Sequence, residues 1–428
     1  LLVSAAAGSG KTAVLVQRII SMVTDETDPL DIDRLLVVTF TNAAAAEMRE
    51  RVGAAIENAL EQEPYNQHLQ RQLTLVHNAQ ITTIDSFCIR ILRDHFHKID
   101  LEPGFRIADE GELKLLREDV CEAVLEEFYQ KADPEFFRFA DSYSGAKNDL
   151  QIKEMILKLY NYAESYPWPK EWLETCVQQY EAANEAELEE KSWIRDFLSY
   201  LDVRIEDLIT AQKKLLELTQ EPDGPYMYEA SIADDLRQLE NLRKCEHFSQ
   251  WQEAVSSIDF KNIGRSGKYE GSVAKKKAVM SGRKRMKDQI DKWKKTIFAT
   301  PLEVQLERLT QTSKMVRVLV TLTQAFSDRF YEEKQKKNML DFSDVEHNAL
   351  RVLVNPETKE LTETALEYQQ QYREVMIDEY QDSNYVQETL LTAVSGVKNG
   401  NENLFMVGDV KQSIYRFRLA RPELFMEK

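Results

Sequence analysis

The sequence predicts an α/β protein in which a parallel-sheet domain is split by a large all-α insertion. Three observations lead there. Apolar, β-branched strands alternate with helices over residues 1–106, the pattern of a parallel sheet with helices on both faces. The alternation stops over 107–338, where amphipathic helical stretches dominate, and it resumes over 339–428. The 428 residues also exceed what one hydrophobic core usually holds.

Taken in order, Leu1-Leu2-Val3 reads as the end of a buried strand. A small-residue loop follows, Ala5-Ala6-Ala7-Gly8-Ser9-Gly10, then Lys11-Thr12 and a helix to about residue 23. A strand, a glycine-bearing loop and Lys-Thr opening a helix form the setting of a phosphate-binding loop. Gly8 and Gly10 let the backbone wrap a phosphate, and a helix N-terminus favours an anion. Lys11 is expected to reach the β- and γ-phosphates of ATP, and Thr12 to hold Mg²⁺. Ala5 takes the place of that pattern's first glycine.

Residues 35–39 form a continuous β-branched strand, as a sheet buried on both faces requires. Phe40-Thr41-Asn42 leads into an alanine-rich helix, 43–62. Residues 79–83 read as a third strand and 85–97 as its helix. In the insertion, helices are expected over 109–132, 150–164, 172–190, 193–219, 232–245 and 302–335. Pro167-Trp168-Pro169 and Pro222-Asp223-Gly224-Pro225 break the pattern. Near the end, 374–378 is a strand closing on an acid, 385–394 a helix and 404–409 another strand.

Composition bounds the function. Hydrophobic content of 43% and charged content of 30% fit a globular protein. No apolar run reaches the length of a membrane span, so no membrane role is expected. Four separated cysteines form no CxxC pair. Neither a zinc site nor a disulfide framework is suggested, and a reducing, cytoplasmic setting is expected. A net charge of −18 argues against coating nucleic acid with the whole surface. Residues 261–295 differ, with thirteen Lys and Arg against three acids. Such a stripe suits a polyanion track, with Lys275, Lys276 and Lys277 as phosphate contacts. A solvated basic linker is the alternative, since glycines stand at 264, 267 and 271.

Asp378-Glu379 closes an apolar strand far from Lys11 in sequence. A nucleotide hydrolase needs such acids beside its phosphate loop. Asp378 would bind Mg²⁺ directly or through water, and Glu379 would orient and deprotonate the attacking water.

These residues also carry a resemblance. Asp378-Glu379-Tyr380-Gln381-Asp382 resembles the DEYQD box of the UvrD/RecB group of superfamily 1 DNA helicases. The stretch 407–418, VGDVKQSIYRFR, resembles that group's third motif. Thr39-Phe40-Thr41-Asn42 with 43–51 resembles its motif Ia, 82–87 a DNA-backbone motif, and Asp341-Phe342-Ser343-Asp344 a DFxDL segment. Within the group, 103–109 and 403–419 are most similar to AddA-type helicase–nuclease subunits. The resemblance implies a RecA-like P-loop NTPase domain that hydrolyses ATP with Mg²⁺ and moves 3′ to 5′ on single-stranded DNA, meeting a duplex junction. It implies an AddB-like partner subunit. It also implies work on double-strand breaks in recombinational repair, in the bacterial cytoplasm at the nucleoid. It assigns Gln412 to the γ-phosphate. It assigns Phe40, Thr41, Asn42, Thr83, Tyr415, Phe417 and Arg418 to the DNA track, core packing being the alternative for the rings. Ala13 stands where the group usually has Arg, and Asp85 where many relatives have His. The resemblance further implies parts outside this sequence: an adenine-reading motif, a second motor domain with an arginine finger, and a C-terminal exonuclease domain. A solo UvrD-like repair helicase and a non-motor, ATP-gated DNA scaffold are the competing readings.

Overall fold

The computed structural model describes residues 1–4, 10–145, 148–263, 269–413 and 419–428. The central sheet has five strands, β1 (Leu2–Ser4), β2 (Leu35–Thr39), β3 (Gln80–Thr83), β6 (Glu374–Ile377) and β7 (Leu404–Gly408). Their order is β1-β7-β6-β2-β3 and every pairing is parallel. Both ends of the chain therefore build one sheet. Two short strands, β4 (Arg106–Ile107) and β5 (Met339–Leu340), pair in parallel at the edges of the expected insertion.

Strands β2, β6 and β7 are buried on both faces because both faces are covered. Leu15 and Ile19 of α1 (Lys11–Val23) and Met48 and Val52 of α2 (Asn42–Gln62) pack on Leu35, Val37, Met376, Phe405 and Val407. Alternate strand residues point the other way, as the two-residue period demands. Leu36, Val38, Val375, Ile377 and Met406 share a second core with α4, α15 and α17 (Ile84–His95, Phe342–Leu353, Tyr385–Val394). Helix α3 (Gln67–Leu75) completes the first segment and α16 (Glu363–Gln371) precedes β6.

Between β4 and β5 the chain is helical: α5 (Glu110–Lys131), α6 (Pro134–Tyr143), α7 (Leu150–Ala163), α8 (Pro169–Gln178), α9 (Glu185–Glu189), α10 (Ser192–Gln220), α11 (Glu229–Leu242), α12 (Phe248–Ser257), α13 (Val273–Thr296) and α14 (Leu302–Lys336). A last helix, α18 (Pro422–Glu427), follows the sheet. The single helix expected over 172–190 is two, α8 and α9. Helices α3, α6, α12, α13, α15, α16 and α18 were not anticipated.

The chain forms two compact units: Leu1–Leu173 with Leu319–Lys428, and Glu174–Val318. These limits lie inside the insertion expected over 107–338. Side-chain contacts explain the difference. Tyr160 of α7 packs edge-on against Phe326 and Phe330 of α14. Glu164 accepts a hydrogen bond from Ser343 of α15 at 2.9 Å. Lys334, fully buried near the end of α14, holds Asp341 and Asp344 at the start of α15, at 2.8 and 2.6 Å. The flanking helices of the inserted stretch thus pack with the sheet unit.

The second unit has its own core, with Leu201, Ile205 and Ile209 of α10 meeting Leu239, Trp251, Met286, Ile290 and Trp293. A buried ion pair sits in it, Arg283 to Asp235 at 2.5 and 2.9 Å. Most of the basic stripe is α13, started by the Ser272 hydroxyl accepting from the Lys275 N–H at 3.3 Å.

Candidate active site

In an all-parallel sheet the carboxyl ends of the strands share one edge, and the loops leaving them converge there. Gly10 ends the loop after β1 at φ +87°, a left-handed angle that glycine adopts without steric cost. It hands over to α1, whose first residue is Lys11. The Lys11 ammonium, 8% exposed, donates to Glu379 Oε2 at 2.7 Å and to Gln412 Oε1 at 3.3 Å. Glu379 follows β6 and itself takes a left-handed φ of +52°. A non-glycine residue there is uncommon, and such outliers cluster at functional sites.

These contacts close into a ring. Gln381 Nε2 donates to the same Glu379 Oε2 at 2.8 Å. Gln381 Oε1 accepts the Asp409 N–H at 2.8 Å. Asp409 Oδ2 accepts from Gln412 Nε2 at 2.7 Å, and Gln412 returns to Lys11. The ring leaves little room behind it. A Cβ on Gly408 would lie 2.4 Å from Gln381 Oε1 and 2.8 Å from the Phe425 ring.

Asp378, next in sequence to Glu379, is buried and accepts the Glu379 N–H at 3.1 Å. Its N–H donates to Val38 O at 2.9 Å, so the register of β2 fixes its position. Burial first, then the Glu379 charge, push its carboxyl up to about 6, against the Glu379 N–H hydrogen bond, the charge of Lys11 and the hydrogen bond of Thr12. The carboxyl thus lacks a full counter-charge. The hydrogen bond from Gln412 is the main influence holding Asp409 below the usual carboxylate range.

The structure brings Lys11, Thr12, Asp378, Glu379 and Gln412 together from three distant stretches. Ala5, Ala6, Ala7, Gly8 and Ser9 lie outside the described residues, as do Tyr415, Phe417 and Arg418. Phe40, half-buried, and exposed Thr41 and Asn42 follow β2 at the same edge. Thr41 caps α2, accepting from the Ala44 N–H at 3.1 Å. Thr83 caps α4, accepting from the Ser86 N–H at 3.2 Å, and is buried. Both threonines therefore have a local structural task. Lys275, Lys276 and Lys277 belong to the other unit. Lys275 is held by Glu221 and Asp223, Lys276 lies 5.6 Å from the centre of the Tyr269 ring, and Lys277 is exposed. Gln381 and Asp409 were missed as site residues. Each belongs to a stretch already singled out, yet nothing in the spacing shows that they bond to each other.

A parallel sheet that gathers a helix-opening Lys-Thr, a strand-end acid pair and a loop glutamine belongs to the α/β proteins that carry their ligand site at the sheet's carboxyl edge. The chain belongs to the UvrD/REP helicase N-terminal domain family, which it matches over residues 1–428. It is also similar, over its whole length, to the AddA subunits of bacterial ATP-dependent helicase/nucleases. It is 46% identical to that of Lachnoclostridium phytofermentans, 42% to that of Bacillus velezensis and 40% to that of Acetivibrio thermocellus. It covers 32%, 35% and 35% of those proteins. The chain thus spans about a third of the length of the curated relatives it matches. Among the described residues no helix is long and apolar enough to cross a membrane.

Proposed function

We propose that this chain is the ATP-binding part of a superfamily 1 DNA helicase, the helicase portion of a helicase–nuclease that processes double-strand breaks for recombinational repair. On this reading 1–106 and 339–428 form one RecA-like, P-loop NTPase domain and 107–338 is its inserted helical domain. The observation that carries it is the ring at the sheet edge. A helix-opening lysine, a strand-end glutamate and a loop glutamine meet there across more than three hundred residues of sequence.

The residues present fit Mg-ATP. Residues 5–12 would cradle the phosphates, with Lys11 turning from Glu379 to the β- and γ-oxygens. Thr12 and Asp378 would supply two magnesium ligands. Among the described residues no cluster of three or more His, Cys, Asp or Glu could hold a metal. Two protein ligands suit magnesium, which keeps waters and phosphate oxygens in its octahedron. Bound Mg-ATP supplies the phosphoanhydride whose hydrolysis powers movement. Glu379, released from Lys11, accepts the proton of the attacking water, and Gln381 keeps its carboxylate oriented. Gln412 reports the γ-phosphate to the loop after β7, where Tyr415, Phe417 and Arg418 would meet the DNA with Phe40, Thr41, Asn42 and Thr83. Movement 3′ to 5′ on a single strand towards a duplex junction, an AddB-like partner, a C-terminal exonuclease and a cytoplasmic, nucleoid-associated site belong to the same proposal.

The test is steady-state ATP turnover by the full-length protein, with and without single-stranded DNA. Glu379→Gln is expected to keep ATP binding and lower DNA-stimulated turnover by about 10²–10⁴-fold, the usual worth of a positioned base. Near-normal turnover by Glu379→Gln, or turnover indifferent to DNA, rejects the reading.

A further inference from the structure

Arg421 lies just past the third-motif stretch, and none of the site assignments above uses it. Its backbone N–H donates to Ser383 O at 2.9 Å. It is thereby tied to the loop that carries Glu379 and Gln381. Its guanidinium sits in a collar of tyrosines, 4.6 Å from the ring centre of Tyr162, 5.4 Å from Tyr166 and 5.6 Å from Tyr385. One nitrogen donates to the Tyr166 hydroxyl at 3.2 Å. Its Nε is buried and donates to nothing. Among the described residues no carboxylate pairs with it, and its favourable neighbours are tyrosines, the Tyr162 hydrogen bond foremost.

The rings continue beyond the arginine. Tyr166 stacks on Trp172 at 4.6 Å and 16°, and on Tyr385 at 5.1 Å and 23°. Tyr162 lies 5.4 Å from Trp172 and is 36% exposed. A planar cation whose hydrogen-bond partners are neutral hydroxyls, with no carboxylate to displace, is suited to a phosphate. Flat, partly exposed aromatic rings are built for a base. The two stand side by side here.

We propose that Arg421 and the Tyr162–Tyr166–Trp172–Tyr385 stack bind one nucleotide unit of a single DNA strand, the phosphodiester on the guanidinium and the base against Tyr162. The proposal rests on the helicase reading and adds a strand contact outside the residues assigned to the DNA track. It also places that contact one backbone hydrogen bond from the acid loop, so strand engagement pulls directly on the segment that holds Glu379.

The experiment measures binding of a labelled oligothymidine strand to the full-length protein across a salt series, with thermal unfolding recorded beside it. Arg421→Gln is expected to weaken binding and reduce the log–log salt slope by about 0.7, the value of one single-strand phosphate contact. Arg421→Lys restores the slope, because it keeps the charge. Tyr162→Ala weakens oligothymidine binding about tenfold, within the usual worth of one stacked base, and leaves an abasic strand of equal length unaffected. Normal wild-type binding with an unchanged slope in Arg421→Gln overturns this inference alone. A lowered melting temperature with unchanged slope per folded molecule also overturns it, because Arg421 is then a rivet between helices. A wild-type protein that does not bind the strand overturns the helicase reading and this contact with it.

Discussion

Lys11 and Lys334 are both buried ammonium groups beside a pair of acids in the same compact unit. Lys334 is fully buried, and the two aspartates it touches are each only 7% exposed. Those aspartates also cap α15 through reciprocal bonds of 2.8 and 2.9 Å. That group is sealed from water, one ammonium shared by two carboxyl groups. Lys11 is nearly as buried, but its one carboxylate partner, Glu379, is 35% exposed. Its other partner is a neutral amide at 3.3 Å. A sealed pair is costly to open, since a buried charge left alone cannot recover its hydration. A half-exposed pair exchanges for another anion at little cost. The difference separates a lysine that holds the fold together from one that is free to change partners.

The largest test of that contrast is Lys11→Ala in the full-length protein. Turnover should drop about 10²–10³-fold, as when one preorganised donor to developing charge is removed, while the melting temperature barely moves. A large loss of stability instead would make Lys11 a second staple and collapse the comparison. Lys334→Met should do the reverse. It strands two buried carboxyl groups, and breaking a buried pair from one side costs about 3–5 kcal/mol, readable by urea unfolding. Adding Asp341→Asn and Asp344→Asn should recover much of the loss, because the stranded charges are then gone.

The pH dependence of stability sharpens the contrast further. On α15, burial and then the Asp85 charge push Glu346 up to about 8. Burial and then the Asp341 charge push Asp344 up to about 7. The folded protein therefore keeps protons that the unfolded chain releases above about pH 4–5. This stabilisation is complete below that range and is lost as pH rises through 7 and 8. The slope is at most about 1.4 kcal/mol per pH unit for each group. Glu346→Gln, which keeps the hydrogen-bonding shape near Gln387, should flatten the decline in unfolding free energy between pH 5 and 8. An unchanged profile would place the titrating group elsewhere.

The smallest effect belongs to the lysines of α13. Lys275 already has two acids, so its neutralisation should leave DNA affinity unchanged. Replacing Lys276 and Lys277 by Gln should flatten the salt dependence of binding by about 0.7–0.9 for each phosphate no longer held. Equal effects from all three would mean that the ion pairs of Lys275 open on binding.

Much of the sheet was legible because most of its strands are apolar runs and β3, Gln80-Ile81-Thr82-Thr83, is rich in β-branched residues. The expected 35–39 is observed unchanged, and 79–83, 374–378 and 404–409 each differ by one residue at an end. Helix α13 was harder. Its buried face, Val279, Arg283, Met286, Ile290 and Trp293, has helical spacing. One of those positions is an arginine, buried only because Asp235 meets it from α11, and the surrounding lysines hide the rest. The residues of the candidate site were picked out one at a time: Lys11 and Thr12 by the loop-and-helix pattern, Asp378 and Glu379 by the strand end, and Gln412 by the resemblance alone. The ring was not, since the bonds from Gln381 to Asp409 and from Lys11 to Gln412 exist only once β1, β6 and β7 lie side by side.

The strand order has a consequence for how the protein is made. Of the five described strands of the central sheet, β1 is synthesised before the others and pairs with β7, which is synthesised after them. Strands β2 and β3 can pair as soon as both have emerged, but β1 cannot join them, because β7 and β6 must come between. At about 5–20 residues per second, β1 waits on the order of 20–80 s for its partner. Throughout that interval the nascent chain carries an unpaired apolar edge and an α1 helix with no sheet beneath it. Those are the surfaces on which growing chains associate wrongly. The ring of Lys11, Glu379, Gln381, Asp409 and Gln412 is therefore among the last parts to assemble. A stalled ribosome that has passed the inserted helices but not residue 408 holds a chain with many of its helices formed and its central sheet still open.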